Sequence, residues 1–313
     1  MQYLLSVIIC THNPRSDYLD RVLEALKRQT FPKEHWQLIL VDNTSDSPVA
    51  DRWDLNWHPH GKHLSEKNAG LVHARIAGIR SAEADVIIFV DDDNVLAPDY
   101  LDTALRLCNE MPFIGAFGGN LKGEFEVEPD SMLKPYLSYI AVREVIRSEW
   151  SNRYEWSTTP AGAGMVIRTS IARKYANEAY SNPYRNKLGR KGKSLISCDD
   201  IDMAYTAIDM GYGCGLFSDL QLTHLIPRQR VEPGYIIRLV EANVYSDYVL
   251  GLIRPAAMRM DTKVLLGRFP LLTKLLKWML SSSFEYKVYC AKEKALKKIL
   301  RNAQKGSIED LDF

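Results

Sequence analysis

Val86-Ile87-Ile88-Phe89-Val90-Asp91-Asp92-Asp93-Asn94 is the stretch whose reading decides the fold. Its apolar, mostly β-branched run reads as a buried strand. The strand delivers adjacent carboxylates at its C-terminal end, the edge of an open α/β sheet where ligands bind. Carboxylates this close repel unless a cation sits among them or one is protonated. A hard divalent ion, Mg²⁺ or Mn²⁺, is the simplest resolution, and such ions often bridge to phosphates. The plain alternative is an acidic turn that caps the next helix near Pro98.

Upstream of that strand, short strands alternate with helices. Leu5 to Cys10 is an apolar strand, followed by the loop Thr11-His12-Asn13-Pro14-Arg15. Tyr18 to Gln29 has helical periodicity, with Leu19, Val22, Leu23 and Leu26 on one face. Trp36 to Val41 is the next strand and ends at Asp42-Asn43, and Lys67-Asn68-Ala69-Gly70-Leu71 opens a helix that runs through Arg80. This rhythm predicts an α/β fold, a mostly parallel sheet with helices on both faces. Downstream, Phe113 to Gly119 reads as a strand, Pro129 to Glu149 as a helix, and Gly162 to Arg168 as a glycine-hinged strand. Residues 177–197 are polar without periodicity and read as a mobile loop. Asp200 to Met210 is a helix stopped by Gly211, and residues 234–305 read as largely helical with breaks at Pro255 and Pro270.

The 313 residues carry a formal net charge of +1, with 46% hydrophobic and 25% charged residues. That suits a soluble globular protein with a sizeable core. Five scattered cysteines without a CxxC suggest neither a disulfide framework nor a zinc site. A reducing, cytoplasmic setting is therefore expected. No signal peptide and no spanning helix are expected, and no nucleic-acid partner. The charge is uneven: residues 263–305 carry a net +9 against −5 for residues 1–262. Within that basic tail, Leu271 to Leu280 is amphipathic. It reads either as an interfacial helix drawn to an anionic membrane surface or as a helix packed on the rest of the chain.

Taken in order, several short motifs resemble the family 2 glycosyltransferases of the GT-A fold. They are Val7-Ile8-Ile9-Cys10-Thr11-His12-Asn13, Val41-Asp42-Asn43-Thr44-Ser45, Asn68-Ala69-Gly70-Leu71 with Ala74-Arg75 and Gly78, the triple aspartate, Ala161-Gly162-Ala163-Gly164-Met165, Asp199-Asp200-Ile201-Asp202, and Leu222-Thr223-His224. The resemblance covers about residues 4–230. It implies a Rossmann-like GT-A catalytic domain over residues 1–232, with a nucleotide-binding half (1–112) and an acceptor half (113–232). A basic, amphipathic helical extension would follow over 233–313. It also implies an inverting enzyme that takes its sugar from a nucleotide diphosphate, UDP being the favoured carrier, with a glycan or a lipid-linked molecule as acceptor.

Residue by residue, the resemblance makes Asp93 and His224 metal ligands for Mn²⁺ or Mg²⁺, and Asp200 the base. Asp199, where the family more often has Glu, is counted with Asp200 as catalytic, orienting the acceptor. Donor-site candidates are Thr11, Asn13, Arg15, Asp42, Asn68, Arg75, Asp91 and Asp92, with Asp91 near the ribose, Asp42 near the base, and the middle aspartate, Asp92, turned elsewhere. Each has a plainer reading: a turn at Asp42-Asn43, helix capping at Asp199 or Asp200, a salt bridge at Arg75, a structural histidine at 224. Asp202 is expected to be structural, and Arg228 and Arg230 to hold diphosphate oxygens. Trp156 either stacks on a sugar or fills core. Gly162-Ala163-Gly164 lacks either phosphate-cradling spacing, so close backbone approach to sugar or tight strand packing explains it. Processive synthases of the family carry Gln-x-x-Arg-Trp; Pro227-Arg228-Gln229-Arg230-Val231 does not match, so addition of one sugar or a few is expected. Acceptor specificity is assigned to residues 120–197. The competing classes are an Asp-x-Asp phosphatase, a nucleotidylyltransferase, and a non-catalytic, membrane-associated carbohydrate-binding protein.

Overall fold

The computed structural model describes residues 3–257 and 270–304. The apolar runs near the N-terminus form parallel strands β1 (Leu5–Thr11), β2 (Trp36–Asn43), β3 (Gly61–Glu66) and β4 (Val86–Asp91), in the spatial order β3-β2-β1-β4. Helices α1 (Ser16–Lys27) and α2 (Leu71–Ser81) make the crossovers. Alternation along β1 builds two cores at once. Val7 and Ile9 join the cluster that contains α1, and Ile8 and Cys10 join the one that contains α2. The sheet and α2 approach so closely that a Cβ on Gly78 would lie 2.5 Å from Ile8 Cγ2.

Chain order reverses between β1 and β4, which are neighbours although β2 lies on the other side of β1. The loops that leave these two strands therefore diverge and open a crevice at the carboxyl edge of the sheet. This topology carries the aspartates to the site.

The second half extends the sheet through β5 (Asn94–Leu96), β6 (Ile114–Phe125), β7 (Glu149–Ser151), β8 (Val166–Arg168) and β9 (Gly213–Ile226). The order continues β4-β8-β6-β9-β5, with β7 also paired to β9. Only β6 and β9 pair in parallel here, so the strictly parallel part is the N-terminal half. Helices α3 (Tyr100–Glu110), α4 (Thr169–Ser181) and α5 (Asp199–Asp209) cover the faces.

Three expectations need correction, and one strand was missed. No helix spans 129–149: Ser131–Ile140 forms a 3-10 turn around Pro135 that ends at Ala141 in the left-handed region (φ 53°), after which Arg143 bridges to Leu121. Pro135 lacks an N–H and its ring crowds the carbonyl four residues back, which disfavours a regular α-helix over this segment. Residues 177–197 are not a bare loop, because α4 runs to Ser181 and the segment is tied down by buried Arg185 and Leu188. Strand β3 has no apolar run and escaped notice; it lies at the end of the strand order, half-buried, and is held by its backbone pairing to β2. Of Gly162–Arg168, only Val166–Arg168 is strand, the rest being a turn that borders the crevice.

Helix α6 (Pro233–Ile253) follows β9, and α7 (Pro270–Leu280) and α8 (Ser283–Gln304) complete the described chain. Phe284 and Val288 of α8 pack against Ile236, Leu239 and Val240 of α6, and Ile299 joins Tyr245, Val249 and the α5 residues Ile201 and Tyr205. This part of the extension is thus packed on the rest of the chain. Arg254, just past α6, is buried and donates through Nε to Asp202 Oδ1 on α5 at 2.5 Å, while Arg185 Nη1 holds Oδ2 at 3.1 Å. Asp202 is structural, as its position on the helix suggested. Helix α7 instead leaves Leu275, Trp278, Met279 and Leu280 exposed. Residues 263–269 and 305 of the basic tail, and the acidic 306–313, lie outside the described residues. Among the described residues no helix is long and apolar enough to cross a membrane.

Candidate active site

The crevice at the β1/β4 switch point is a cleft of about 780 Å³, within the range of small-molecule sites. Strand β4 ends at Asp91, and the chain turns at Asp92 and Asp93 before β5 begins at Asn94. Strand alternation would send Asp92 away from its neighbours. The turn abolishes that alternation, and all three carboxylates line the cleft. Asp92 therefore corrects the expectation that it faces elsewhere: it accepts a short hydrogen bond from Thr11 Oγ1 at the end of β1.

Asp93 meets His224 because β5 and β9 are antiparallel neighbours, with Asn94 opposite His224 and Leu225 N donating to the Asp93 carbonyl at 2.9 Å. His224 Nε2 lies 3.4 Å from Asp93 Oδ2. Arg230, on the turn Arg228–Val231, places Nη1 3.1 Å from the same carboxylate oxygen. Burial raises the cost of a charge on Asp93, but His224, when its ring is protonated, and the permanent charge of Arg230 outweigh it and hold this carboxyl well below the usual range. Burial, then the charge on Asp93, push Asp92 up to about 7 against the Thr11 hydrogen bond. Asp91 is also raised, chiefly by burial and against the pull of Arg75.

On the other wall, Arg75 of α2 is buried and donates to Asp199 at 2.5 Å, with Asp91 at 3.7 Å. Asp199 is thus a buried partner of Arg75, pushed up to about 6 by burial with Arg75 pulling it down. Asp200 follows it into the cleft. Its Oδ2 accepts from Gly162 N at 2.7 Å and its Oδ1 from Ile201 N at 2.9 Å. A Cβ on Gly162 would lie 2.3 Å from Arg75 Nη2, so this glycine is set by the guanidinium behind it rather than by strand packing. The residue before the pair, Cys198, has φ 82°, a left-handed conformation seldom taken by a side-chain-bearing residue. It holds the N-cap position of α5 without a side-chain cap bond, so both aspartates stand inside the first turn rather than at the cap. The preceding loop is anchored to α6 by Ser197, whose N donates to Ser246 Oγ at 3.1 Å and whose Oγ donates to Asn243 Oδ1 at 3.0 Å.

The fold brings Thr11, Arg75, Asp91, Asp92, Asp93, Asp199, Asp200 and His224 into one cleft. Asn13, Arg15, Asp42 and Asn68 do not line it; Asp42 stands near the end of β2 and the other three in loops. Asp42 accepts from Ser45 N at 3.0 Å and from Val49 N at 3.1 Å, which uses both oxygens to shape the loop after β2. Asn13 is tied to that loop through Ser45 and Asp46, Arg15 pairs with Asp17 and Glu126, and Asn68 bonds Glu66. The sequence reading missed wall residues that only packing delivers. Tyr235, Asn243 and Asp247 come from α6, Arg143 from the segment after the 3-10 turn, and Arg190 and Lys191 from the loop before α5. Trp156 is resolved as a rim residue, 48% exposed, with the Arg143 guanidinium 5.6 Å from its ring centroid.

A divalent ion suits the Asp93–His224 pair, one hard oxygen and one imidazole nitrogen. Among the described residues no group of three His, Cys, Asp or Glu forms a complete cage. An ion here would share these two ligands with water and substrate oxygens, as Mg²⁺ and Mn²⁺ commonly do.

An α/β sheet with an acidic switch-point cleft is the GT-A architecture, and solved structures of that fold superpose on the chain. The S. aureus TarS 1–349 complex with UDP-GlcNAc matches with TM-score 0.53 at 16% identity, over 99% of this chain and 94% of that one. The mannosyltransferase PcManGT from Pyrobaculum calidifontis, in complex with GDP-Man and Mn²⁺, matches with TM-score 0.56 at 17% identity, over 96% and 88%. The chain belongs to glycosyl transferase family 2, whose model matches residues 6–176. Curated relatives include the uncharacterized glycosyltransferase YwdF of Bacillus subtilis, 30% identical over 110 residues, 35% of this chain and 40% of that protein. Another is poly(ribitol-phosphate) beta-N-acetylglucosaminyltransferase TarS of S. aureus, 25% identical over 108 residues, 34% of this chain and 19% of that protein. The chain spans two fifths or less of the length of the curated relatives that it matches first. Family membership sets aside the phosphatase and nucleotidylyltransferase readings.

Proposed function

We propose that this protein is an inverting, metal-dependent, non-processive glycosyltransferase that moves a sugar from a UDP-linked donor to a glycan or lipid-linked acceptor. One observation carries the reading: a carboxylate fixed by a backbone N–H, Asp200, faces the same cleft as the Asp93–His224 pair. In this reading Asp200 takes the proton of the acceptor hydroxyl as that oxygen attacks the anomeric carbon. The new glycosidic bond forms on the face opposite the leaving group, the bond to the diphosphate breaks, and the nucleoside diphosphate departs with the electron pair. Asp93 and His224 would hold the divalent ion, which when bound supplies positive charge to that leaving group.

Asp199 and Arg75 act behind the reacting atoms. Their pairing keeps the start of α5 in place, and Asp199, almost fully buried, is not itself a reacting group. Thr11, Asp91 and Asp92 form the floor on which the nucleoside side of the donor rests, while Asn13, Asp42 and Asn68 shape the bordering loops. UDP is favoured by the likeness to the TarS complex; GDP, present in the mannosyltransferase complex, is the competing carrier. The exposed apolar edge of α7, with Lys277 beside it, supports a place at an anionic membrane face, where a lipid-linked acceptor would be presented.

The test is Asp200→Asn with a panel of UDP- and GDP-sugars. Transfer is expected to fall by roughly 10²–10⁴-fold, the size of a lost general base, with UDP affinity within about threefold of wild type. Loss of UDP binding would move Asp200 out of the base role. A wild-type protein that binds these sugars without turnover would favour the carbohydrate-binding reading.

A further inference from the structure

The cleft already contains a cation at the point where two metal-type ligands converge. Arg230 Nη1 lies 3.1 Å from Asp93 Oδ2 and 3.1 Å from His224 Nε2. A guanidinium can only donate, so it fixes the state of the ring: Nε2 must offer its lone pair, and the ring proton sits on Nδ1. That assignment agrees with the other side of the imidazole, where Nδ1 faces the Ala141 carbonyl, an obligate acceptor, at 3.3 Å. The oxygen and nitrogen lone pairs suited to a divalent ion therefore both point at one arginine nitrogen. An ion and this nitrogen compete for the same lone pairs, and their charges repel. Arg230 is not locked in place: its side chain is 34% exposed, stands on a short 3-10 turn, and lines the cleft.

We propose that Arg230 is a displaceable resident cation, which occupies the Asp93–His224 seat in the free protein and swings onto the donor diphosphate when a divalent ion and nucleotide enter together. The inference rests on the metal-dependent reading above. Its consequence is strong coupling: the ion binds weakly alone and tightly with nucleotide, because the diphosphate gives the displaced guanidinium a new bidentate partner. Coupling of this kind is reciprocal, so the ion must raise nucleotide affinity by the same factor.

The experiment is a Mn²⁺ titration of the full chain, followed by the EPR signal of free Mn²⁺, with and without UDP. The proteins are wild type, Arg230→Ala, Arg230→Gln, Arg230→Lys and His224→Ala, each checked by a thermal melt. Arg230→Gln preserves much of the side chain without its charge and guards against a packing defect in Arg230→Ala. With Mn²⁺ alone, Arg230→Ala and Arg230→Gln are expected to bind roughly tenfold tighter or better than wild type, since one unit charge about 3 Å from the ion is gone. Arg230→Lys should stay weak, and the gain from UDP should shrink in both neutral variants. Neutral variants that bind Mn²⁺ alone no better than wild type, while His224→Ala loses binding, would overturn the role of Arg230 and leave the metal reading standing. Absence of Mn²⁺ uptake by every protein even with UDP would overturn both.

Discussion

Replacing Gly162 with alanine tests how the base and its supports are coupled. The added Cβ would sit 2.3 Å from Arg75 Nη2 and 3.1 Å from Arg75 Cζ, about 1 Å inside ordinary contact. Elsewhere the tip of an arginine would swing aside at little cost. Here it is buried and pinned between Asp199 at 2.5 Å and Asp91 at 3.7 Å. Either Arg75 moves and loosens the start of α5, or the Gly162 backbone retreats and its N–H leaves Asp200. Both routes displace the base by a large part of 1 Å, a misplacement that costs on the order of 10²-fold in rate. Overpacking adds ~1–3 kcal/mol of lost stability. Steady-state transfer kinetics and urea denaturation read the two effects separately. Gly234→Ala is the control, because its Cβ would meet nothing closer than 3.8 Å, the Arg238 guanidinium, and alanine suits a helix better than glycine. Turnover of Gly162→Ala within about threefold of wild type would refute the argument, since it would mean that Asp200 does not depend on this contact.

Arg254→Met should destabilise the fold by ~3–5 kcal/mol in urea titrations, because it leaves the fully buried Asp202 short of a partner. A loss below about 1 kcal/mol would rank the pair with surface ion pairs. Asp92, pushed up to about 7 from an unfolded value near 3.9, keeps a proton in the native state that the unfolded chain has released. Its contribution to stability is therefore lost as pH rises between about 4 and 7. Asp92→Asn should flatten that part of the slope in urea midpoints at pH 5 and 7.5, and identical slopes in the two proteins would contradict it. Trp156→Ala should raise KM for the acceptor roughly three- to tenfold, the scale of a ~0.5–1.5 kcal/mol aromatic contact. It should leave KM for the donor unchanged, and an effect on the donor alone would put the indole on the other side of the cleft.

Local sequence determined the N-terminal half. Apolar runs of strand length, periodic helices between them, and carboxylates at strand ends name β1, β2, β4, α1 and α2 and point to the edge at which a ligand binds. Each signal is short-range, so a single sequence carries it. Motif order carried the pairing of Asp93 with His224, residues 131 positions apart that become neighbours only because β5 and β9 lie antiparallel. Tertiary structure alone decided the rest. Strand β3 was invisible because an edge strand needs backbone partners rather than an apolar face. Asp92 entered the cleft because β4 ends one residue before it, and strand length is fixed by pairing rather than by composition. Asp199 was separated from Asp200 by the burial of Arg75, and Asp42 was withdrawn into its loop by two backbone amides. The walls built by Arg143, Arg190 and α6, and the seating of Arg230 between Asp93 and His224, depend on contacts between distant segments. Charge and spacing along the chain do not encode such contacts; they exist only once the hydrophobic cores have brought those segments together.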